Sequence, residues 1–181
     1  MGMSWDKVRF RIREVGNVGD NCIVVLHEVG GERVFPISLS HRATMDVFSL
    51  MNPSDDNPVC GFSIIDSLTS AFGIIAEEVV ITRVERGRYM GKAIFNECGQ
   101  TETIPVGIDE ALMLSLSLRC PLFIDGKLLA QQTISGNVGG LSIPLNVMPV
   151  SILQEMLDAA IQEEEYSLAQ ILSNEIRQRE R

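Results

Sequence analysis

The chain has 181 residues, 45% of them hydrophobic and 22% charged, and a net charge of −9 at neutral pH. These values are typical of a globular protein with one buried core, and no apolar run approaches the roughly 20 residues that span a bilayer. The negative charge argues against broad clamping of nucleic acid, which has the same sign, but it allows a local basic site.

The first predicted strand, KVRFRIR, alternates strictly between basic and apolar residues. Such alternation is typical of a half-buried strand, with Val8, Phe10 and Ile12 facing the core. The opposite face carries a basic stripe, defined as Lys7, Arg9, Arg11 and Arg13. These side chains span about 20 Å, enough to contact several phosphates. The alternative is a solvated face, since edge strands also carry Lys and Arg to prevent edge pairing.

The next elements alternate between strands and helices. CIVVLHEV and ERVFPISLS predict a hairpin around Gly30-Gly31, and residues 41–52 predict a helix that Pro53 ends. Residues 62–72 predict a second helix whose apolar face contains Ile64, Ile65, Leu68 and Phe72, with Gly73 as its C-terminal cap. A three-stranded meander follows, then a helix over 108–118 and the short buried strand PLFI.

Residues 133–150 are rich in Gly, Pro, Ser and Asn, and this composition predicts a linker. Residues 151–181 predict two helices that form an αα-hairpin. Because a lone hairpin buries little surface, we expect it to pack against a copy of itself or another surface.

The four cysteines form no CxxC pair, and the chain has only two histidines, so a zinc site has weak support. Cys22 and Cys120 lie among apolar residues, in NCIVV and LRCPLFI, as expected for reduced thiols. The first ten residues lack the apolar region of a signal peptide. We therefore expect a cytoplasmic protein that is not bound to a membrane.

The C-terminal segment resembles the UVR motif, the helical hairpin of the bacterial excision-repair subunits UvrB and UvrC. The matching residues are Leu153, Met156, Ala159, Tyr166, Ala169 and the run Leu172–Ile176, within which Ser173 and Asn174 depart from the motif. The resemblance implies association between helices, either in a homo-oligomer or with another protein that carries a UVR segment.

Residues 8–132 resemble the bifunctional nuclease family of bacteria and plants. The similarity runs through VVLHEVGGERVFPISLS, FGIIAEEVVITRVERGRYMGKAIF and EALMLSLSLRCPLFI. It implies an α+β fold and cleavage of RNA and DNA. The polar cluster of the family is largely substituted: Ala43 replaces a Glu, Gly61-Phe62-Ser63 replaces Thr-His-Asp, and Gly107–Glu110 replaces Arg-Pro-Ser-Asp.

Phosphodiester hydrolysis needs a group that activates water and a positive group that stabilises the phosphate. Asp109, Glu110, His41 and Arg42 are the candidate catalytic residues. Each also has a structural explanation: acids in the first turn of a helix bind its free N–H groups, and a His before a helix is often a surface or capping residue. Arg83, Arg86 and Arg88 surround a predicted turn and can extend the basic surface or simply remain solvated.

The sequence therefore predicts an α+β domain at residues 4–132 with an antiparallel or mixed sheet and about three packed helices, a linker at 133–150 and a UVR-like αα-hairpin at 151–181. The first functional hypothesis is a nuclease that binds RNA or DNA through Lys7, Arg9, Arg11 and Arg13. The alternative is a non-catalytic module that assembles through the hairpin. The metal ligands remain unidentified, and Mg²⁺ or Mn²⁺ is the cofactor that such a nuclease would use.

Overall fold

The computed structural model describes residues 6–18, 21–53, 60–131, 135–138 and 141–179, and it confirms the predicted α+β class. Its elements follow the predicted order and add a short helix, α4, and, within the predicted linker, two short strands, β8 and β9, and a 3₁₀ helix. The strands are β1 (Lys7–Val18), β2 (Asn21–Glu28), β3 (Val34–Leu39), β4 (Ile75–Glu85), β5 (Arg88–Glu97), β6 (Gln100–Gly107), β7 (Leu122–Asp125), β8 (Ser135–Val138) and β9 (Leu141–Pro144). The helices are α1 (His41–Met51), α2 (Cys60–Phe72), α3 (Ile108–Ser117), α4 (Gly126–Gln131), α5 (Val150–Gln162) and α6 (Tyr166–Arg179).

Seven strands form one mixed sheet in the order β3-β2-β1-β7-β4-β5-β6. Only β4 and β7 run parallel among its neighbouring pairs. The short strand β7 is buried at Leu122 and Ile124, as the sequence predicted. β7 lies at the centre of the sheet and joins two antiparallel units, one formed by β1–β3 and the other by β4–β6.

The alternation predicted for β1 is present. Phe10 is 1% exposed and packs edge-on against Phe35 with ring centroids 6.0 Å apart, whereas the basic stripe is exposed. A bulge between Ile12 and Glu14 removes Arg13 from the regular register. β1 is an interior strand in the sheet order, but it pairs with β7 only over residues 7–10. Protection of an edge strand therefore does not explain Lys7 and Arg9. Arg11 and Arg13 lie in the part of β1 that has no described strand partner on the β7 side, so edge protection stays an explanation for them.

The helices α1 and α3 contact each other and the sheet. Val47 of α1 and Leu112 of α3 are fully buried in the core that this packing creates. These contacts fix the beginnings of both helices relative to the sheet.

The face predicted for burial on α2 is largely exposed, and that prediction is wrong. Ile64, Leu68 and Phe72 are 58%, 51% and 67% exposed, and of the four predicted residues Ile65 is the one that packs against the core, where α2 contacts the sheet and α3. Gly73 adopts a positive φ of 68°, as expected for the predicted C-terminal cap.

The range predicted as a linker contains regular structure in its described part. β8 and β9 pair antiparallel, β9 contacts β3, and a 3₁₀ helix at Leu145–Val147 leads into α5. Residues 133–134 and 139–140 of this range lie outside the described residues. Whether 133–150 separates two independent domains stays a prediction.

The helices α5 and α6 form the predicted hairpin, and they pack against each other within the chain. Leu153 and Leu172 are fully buried, whereas Tyr166, which also matches the UVR motif, is 69% exposed. No helix in the described residues has the length and apolar character needed to cross a membrane.

Candidate functional site

A cavity of about 540 Å³ lies where the sheet, two of its helices and the C-terminal segment meet, and we call it the junction cavity. Its walls are the end of β3 with the start of α1 (38–40), the β4–β5 turn (86–89), the start of α3 (108–109) and the segment 147–150. Arg179, near the end of α6, completes the lining. Residues that are far apart in the sequence therefore share one concave surface.

Three helices begin at the junction cavity. α1 follows Ser40, whose Oγ accepts the N–H of Ala43 at 3.2 Å, α3 begins at Ile108, and α5 follows Pro149. The first N–H groups of a helix lack partners within it, and the helix dipole makes this end partly positive. Three such ends at one cavity favour a negatively charged ligand.

Two arginines add full positive charges at the same place. Arg86 and Arg88 flank Gly87 in a tight turn, which requires positive φ at Arg86 (50°) and Gly87 (75°). Both side chains belong to exposed residues, and neither forms an ion pair within the described part of the chain. By contrast, Arg83 is 3.2 Å from the carboxylate of Glu85. Within the described residues, the turn therefore offers two guanidinium groups outside any ion pair, and the charge of Arg88 also acts on the nearby carboxyl group of Asp109.

Asp109 is the carboxylate of the junction cavity, and its pKa is raised above the ordinary aspartate value. Burial is the main cause of the raised pKa, the nearby charge of Arg88 opposes it, and the charge of Glu110 adds a smaller increase. Such a carboxyl group takes up a proton more readily than a solvated aspartate does. This property suits a group that exchanges protons with a bound substrate.

Glu110 has a different position, although it is adjacent in sequence. Its Oε2 accepts the N–H of Gly107 at 3.0 Å, which is the reciprocal contact of a helix capping box. Glu110 is exposed and is absent from the lining of the junction cavity. The geometry thus supports the capping explanation for Glu110.

His41 and Arg42 lie in the first turn of α1, next to Ser40 at the rim, but they do not line the cavity. The Nδ1 atom of His41 is 3.5 Å from the Sγ atom of Cys22. Both His41 and Arg42 are exposed. The structure therefore brings Asp109 together with Arg86 and Arg88, and it does not bring the four predicted catalytic residues into one cluster.

The described residues contain no group of three or more His, Cys, Asp and Glu side chains that could hold a metal ion. Asp109 is the one carboxylate in the described lining of the junction cavity. A divalent cation there would have to take its remaining ligands from substrate phosphate and water.

The basic stripe lies outside this cavity. Lys7 forms an ion pair with Glu78 and lies over the ring of Phe123, with Nζ 4.6 Å from the centroid. Arg9 and Arg11 line a groove of about 320 Å³ together with Arg119, and Arg13 lines a second groove that shares Arg11. In the described chain, the three stripe arginines form no ion pair.

Sequence reasoning missed the C-terminal wall of the junction cavity. The composition of 133–150 favoured a linker, and Arg179 was one basic residue in a segment with net charge −4. The local signals that were available were Pro149 before a helical pattern and a basic residue in the last helical turn. Neither signal indicates which distant strand or turn the segment contacts.

A comparison with protein-family models supports the assignment that the sequence suggested. The model of the bifunctional nuclease domain matches residues 24–137, which include most of β2, all of β3 to β7 and the walls formed by 38–40, 86–89 and 108–109. The segment 147–150 and Arg179 lie beyond the match. A search of curated proteins gave no match. Because the match covers more than half of the chain, the chain belongs to the bifunctional nuclease domain family.

Proposed function

We propose that this chain binds the phosphate backbone of RNA or DNA in the junction cavity and hydrolyses a phosphodiester bond there. One observation carries the proposal: Asp109, a carboxyl group with a raised pKa, lines the same cavity as Arg86, Arg88 and three helix N-termini. Membership of the bifunctional nuclease domain family supports the same reaction class.

The positive groups bind the phosphate and stabilise its transition state. Free N–H groups at helix starts donate hydrogen bonds to phosphate oxygens, and guanidinium groups bind these oxygens in pairs. Negative charge on the non-bridging oxygens develops further as water attacks phosphorus, so fixed donors lower the barrier.

Asp109 moves the proton. The water oxygen forms a bond to phosphorus, its proton passes to the carboxylate of Asp109, and the bond from phosphorus to the leaving oxygen breaks. The leaving oxygen then takes the proton from Asp109, which restores the carboxylate; where the leaving oxygen is protonated by solvent instead, Asp109 releases its proton to solvent. His41 and Arg42, beside the rim, contact the neighbouring phosphate in this scheme. Glu110 keeps α3 in place and takes no part in the proton transfer.

Binding of a longer strand extends to the basic stripe. Arg9, Arg11 and Arg13 form no ion pair in the described residues, so nucleic-acid phosphates can take the place of solvent counterions around them. The reaction is placed in the cytoplasm in this proposal, and the free thiols of Cys22, Cys98 and Cys120 support a reducing compartment.

The test is cleavage of end-labelled single-stranded RNA and double-stranded DNA, with Mg²⁺, with Mn²⁺ and with EDTA. Wild type is compared with Asp109→Asn and Arg88→Gln, purified identically. The matched controls are Asp66→Asn and Arg83→Gln, which make the same chemical changes at exposed positions outside the cavity. We expect Asp109→Asn to lower the rate at least about 100-fold, the usual scale for loss of a general base.

Cleavage that disappears in both cavity variants and persists in both controls would support the proposal. Equal cleavage by wild type and Asp109→Asn would contradict it, because a contaminating nuclease or another site would then account for the activity. The arms with metal and with EDTA decide whether a divalent cation takes part.

The second candidate is a non-catalytic module that assembles through the UVR-like hairpin. Ile161 and Tyr166, near the connection between α5 and α6, are 53% and 69% exposed and provide an apolar contact surface. The substituted polar cluster of the family also favours this candidate. It is supported if wild type cleaves nothing and the double variant Ile161→Ser/Tyr166→Ser lowers the mass measured by light scattering.

A further inference from the structure

Arg179 connects the C-terminal hairpin to one wall of the junction cavity. Its Nη1 donates to the carbonyl oxygen of Met148, its Nη2 donates to the carbonyl oxygen of Leu145, and its Nε is 2.9 Å from Glu175 Oε1. The side chain is only 10% exposed. A single guanidinium group therefore holds the backbone that leads into α5.

Arg179 also contacts the opposite wall. A Cβ atom at Gly87, between the two arginines of the β4–β5 turn, would lie 3.0 Å from Nη1 of Arg179. The guanidinium group is thus in close contact with the turn on one side and with residues 145–148 on the other. Its position sets the distance between the β4–β5 turn, which carries Arg86 and Arg88, and the start of α5.

The segment 145–148 has few other polar constraints. Oδ1 of Asn146 is buried without a hydrogen-bond partner in the described part of the chain. The carbonyl groups of Leu145 and Met148 accept from Arg179, and a 3₁₀ helix of three residues contributes little further rigidity. Loss of Arg179 would therefore release this wall more readily than the walls built on the sheet.

We propose that Arg179 is a positioning residue: it holds the start of α5 and the β4–β5 turn at the spacing that lets the junction cavity bind a phosphate group. The inference rests on the proposed function and assigns a part of the site to the C-terminal hairpin, beyond the family match at 24–137. The ion pair with Glu175 and the two carbonyl contacts use three of the five N–H donors of the Arg179 guanidinium group and fix its place in the wall. In this proposal Arg179 acts through the groups it positions, while Arg86 and Arg88 contact the ligand.

The experiment compares wild type with Arg179→Gln and Arg179→Lys, and uses Arg177→Gln as the matched control. Arg177 is exposed, lies in the same last turn of α6 and does not line the cavity. Binding of inorganic pyrophosphate is measured by calorimetry, and amide hydrogen exchange is followed at 86–88 and 145–150. The thermal midpoint of each variant shows whether it is folded.

We expect Arg179→Gln to weaken pyrophosphate binding about tenfold, because the variant loses charge-assisted hydrogen bonds that fix the site. Exchange should become faster at 145–150 and 86–88 together. Arg179→Lys keeps one donor group and should recover part of the affinity, while Arg177→Gln should match wild type. Where cleavage is measured, KM should rise more than kcat falls, since Asp109 is unchanged.

Unchanged exchange at both segments in a folded Arg179→Gln variant would overturn the inference, whatever the activity of the wild type. Equal pyrophosphate affinity in wild type and Arg179→Gln would overturn it while leaving the proposed phosphate site intact. Failure of wild type itself to bind pyrophosphate would instead contradict the proposed function, on which the inference depends. A change confined to thermal stability would assign Arg179 a purely structural role and would also overturn the inference.

Discussion

Asp109 and Glu110 are neighbouring acids in the first turn of α3, yet their surroundings give them different properties. The carboxylate of Glu110 accepts a backbone N–H in a solvated position, whereas that of Asp109 is partly buried beside Arg88. On a helix, successive side chains point about 100° apart, so one can cap while the other faces the cavity. The two residues therefore allow separate tests of stability and activity.

Asp109→Asn should stabilise the fold at neutral pH. The folded-state pKa of Asp109 is raised, so the native carboxyl group keeps its proton to a higher pH than the unfolded one does. The stabilisation that the protonated Asp109 gives to wild type is fully present below about pH 4 and is lost as pH rises through the folded-state pKa of Asp109. The gain at pH 7 should stay below about 1 kcal/mol, since the carboxyl group is only partly buried and solvent screens its charge.

Urea unfolding of wild type and Asp109→Asn at several pH values measures this effect. The difference in the free energy of unfolding should approach zero near pH 3 and grow toward pH 7. A variant that is less stable than wild type at pH 7 would contradict the raised pKa. Combined with loss of cleavage, the expected result would show that this site retains a carboxylate at a cost in stability.

Glu110→Ala should lower the free energy of unfolding by about 1 kcal/mol, the usual value of a helix cap. The N–H of Gly107 loses its acceptor in this variant. Glu110→Gln keeps a side-chain oxygen that can accept the same bond, and should be close to wild type in stability and in cleavage. Chemical denaturation measures the first effect, and strong loss of activity in Glu110→Gln would contradict the capping role.

The sequence predicted that Asp109 and Glu110 lie in the first turn of a helix. It did not predict which of the two faces a cavity. That distinction depends on Arg88 and on residues 147–150, which approach α3 only in the folded chain. Arg86 and Arg88 were identifiable as turn residues, and their grouping with Asp109 likewise required the packing of α3 against β5.

At the scale of elements, the basic stripe of β1 leads to a prediction about the salt dependence of RNA binding. If Arg9, Arg11 and Arg13 each neutralise one phosphate, the triple change to Gln should reduce the log–log salt slope for single-stranded RNA binding by about 2. Lys7→Gln, whose charge Glu78 already pairs, should change the slope less. Fluorescence anisotropy across a salt titration measures both, and an unchanged slope in the triple variant would make the stripe a solvated strand face.

Local pattern predicted most elements well, because strand alternation, turn glycines and helix stops are local signals. α2 and residues 133–150 show its limits. The apolar stripe at Ile64, Leu68 and Phe72 specified a helix face, but burial of that face depends on how far α2 rotates against α3 and the sheet. The Gly-rich range 133–150 contains β8 and β9, which pair with each other. Composition alone does not reveal such pairing.

For the whole molecule, the sequence predicts association through the hairpin. Deletion of 151–181 should lower the oligomeric state, measured by light scattering as the number of chains per particle, while residues 4–132 remain folded by circular dichroism. The single chain already buries Leu153 and Leu172, so any association must use exposed positions such as Ile161 and Tyr166. An unchanged number of chains per particle after deletion would contradict association through this segment.

The central place of β7 also affects how the chain folds as it is synthesised. β1 pairs with β7 at Lys7 and Asp125, near opposite ends of the predicted 4–132 domain, whereas β1–β3 and β4–β6 each pair between successive strands. Non-local pairing of this kind slows folding, because a long loop must close before contacts repay its entropy. A nascent chain lacking Leu122–Asp125 would hold two half-sheets with unpaired inner edges, and such edges are sites of aggregation. Emergence of these four residues from the ribosome is therefore the step that converts two vulnerable halves into one protected sheet.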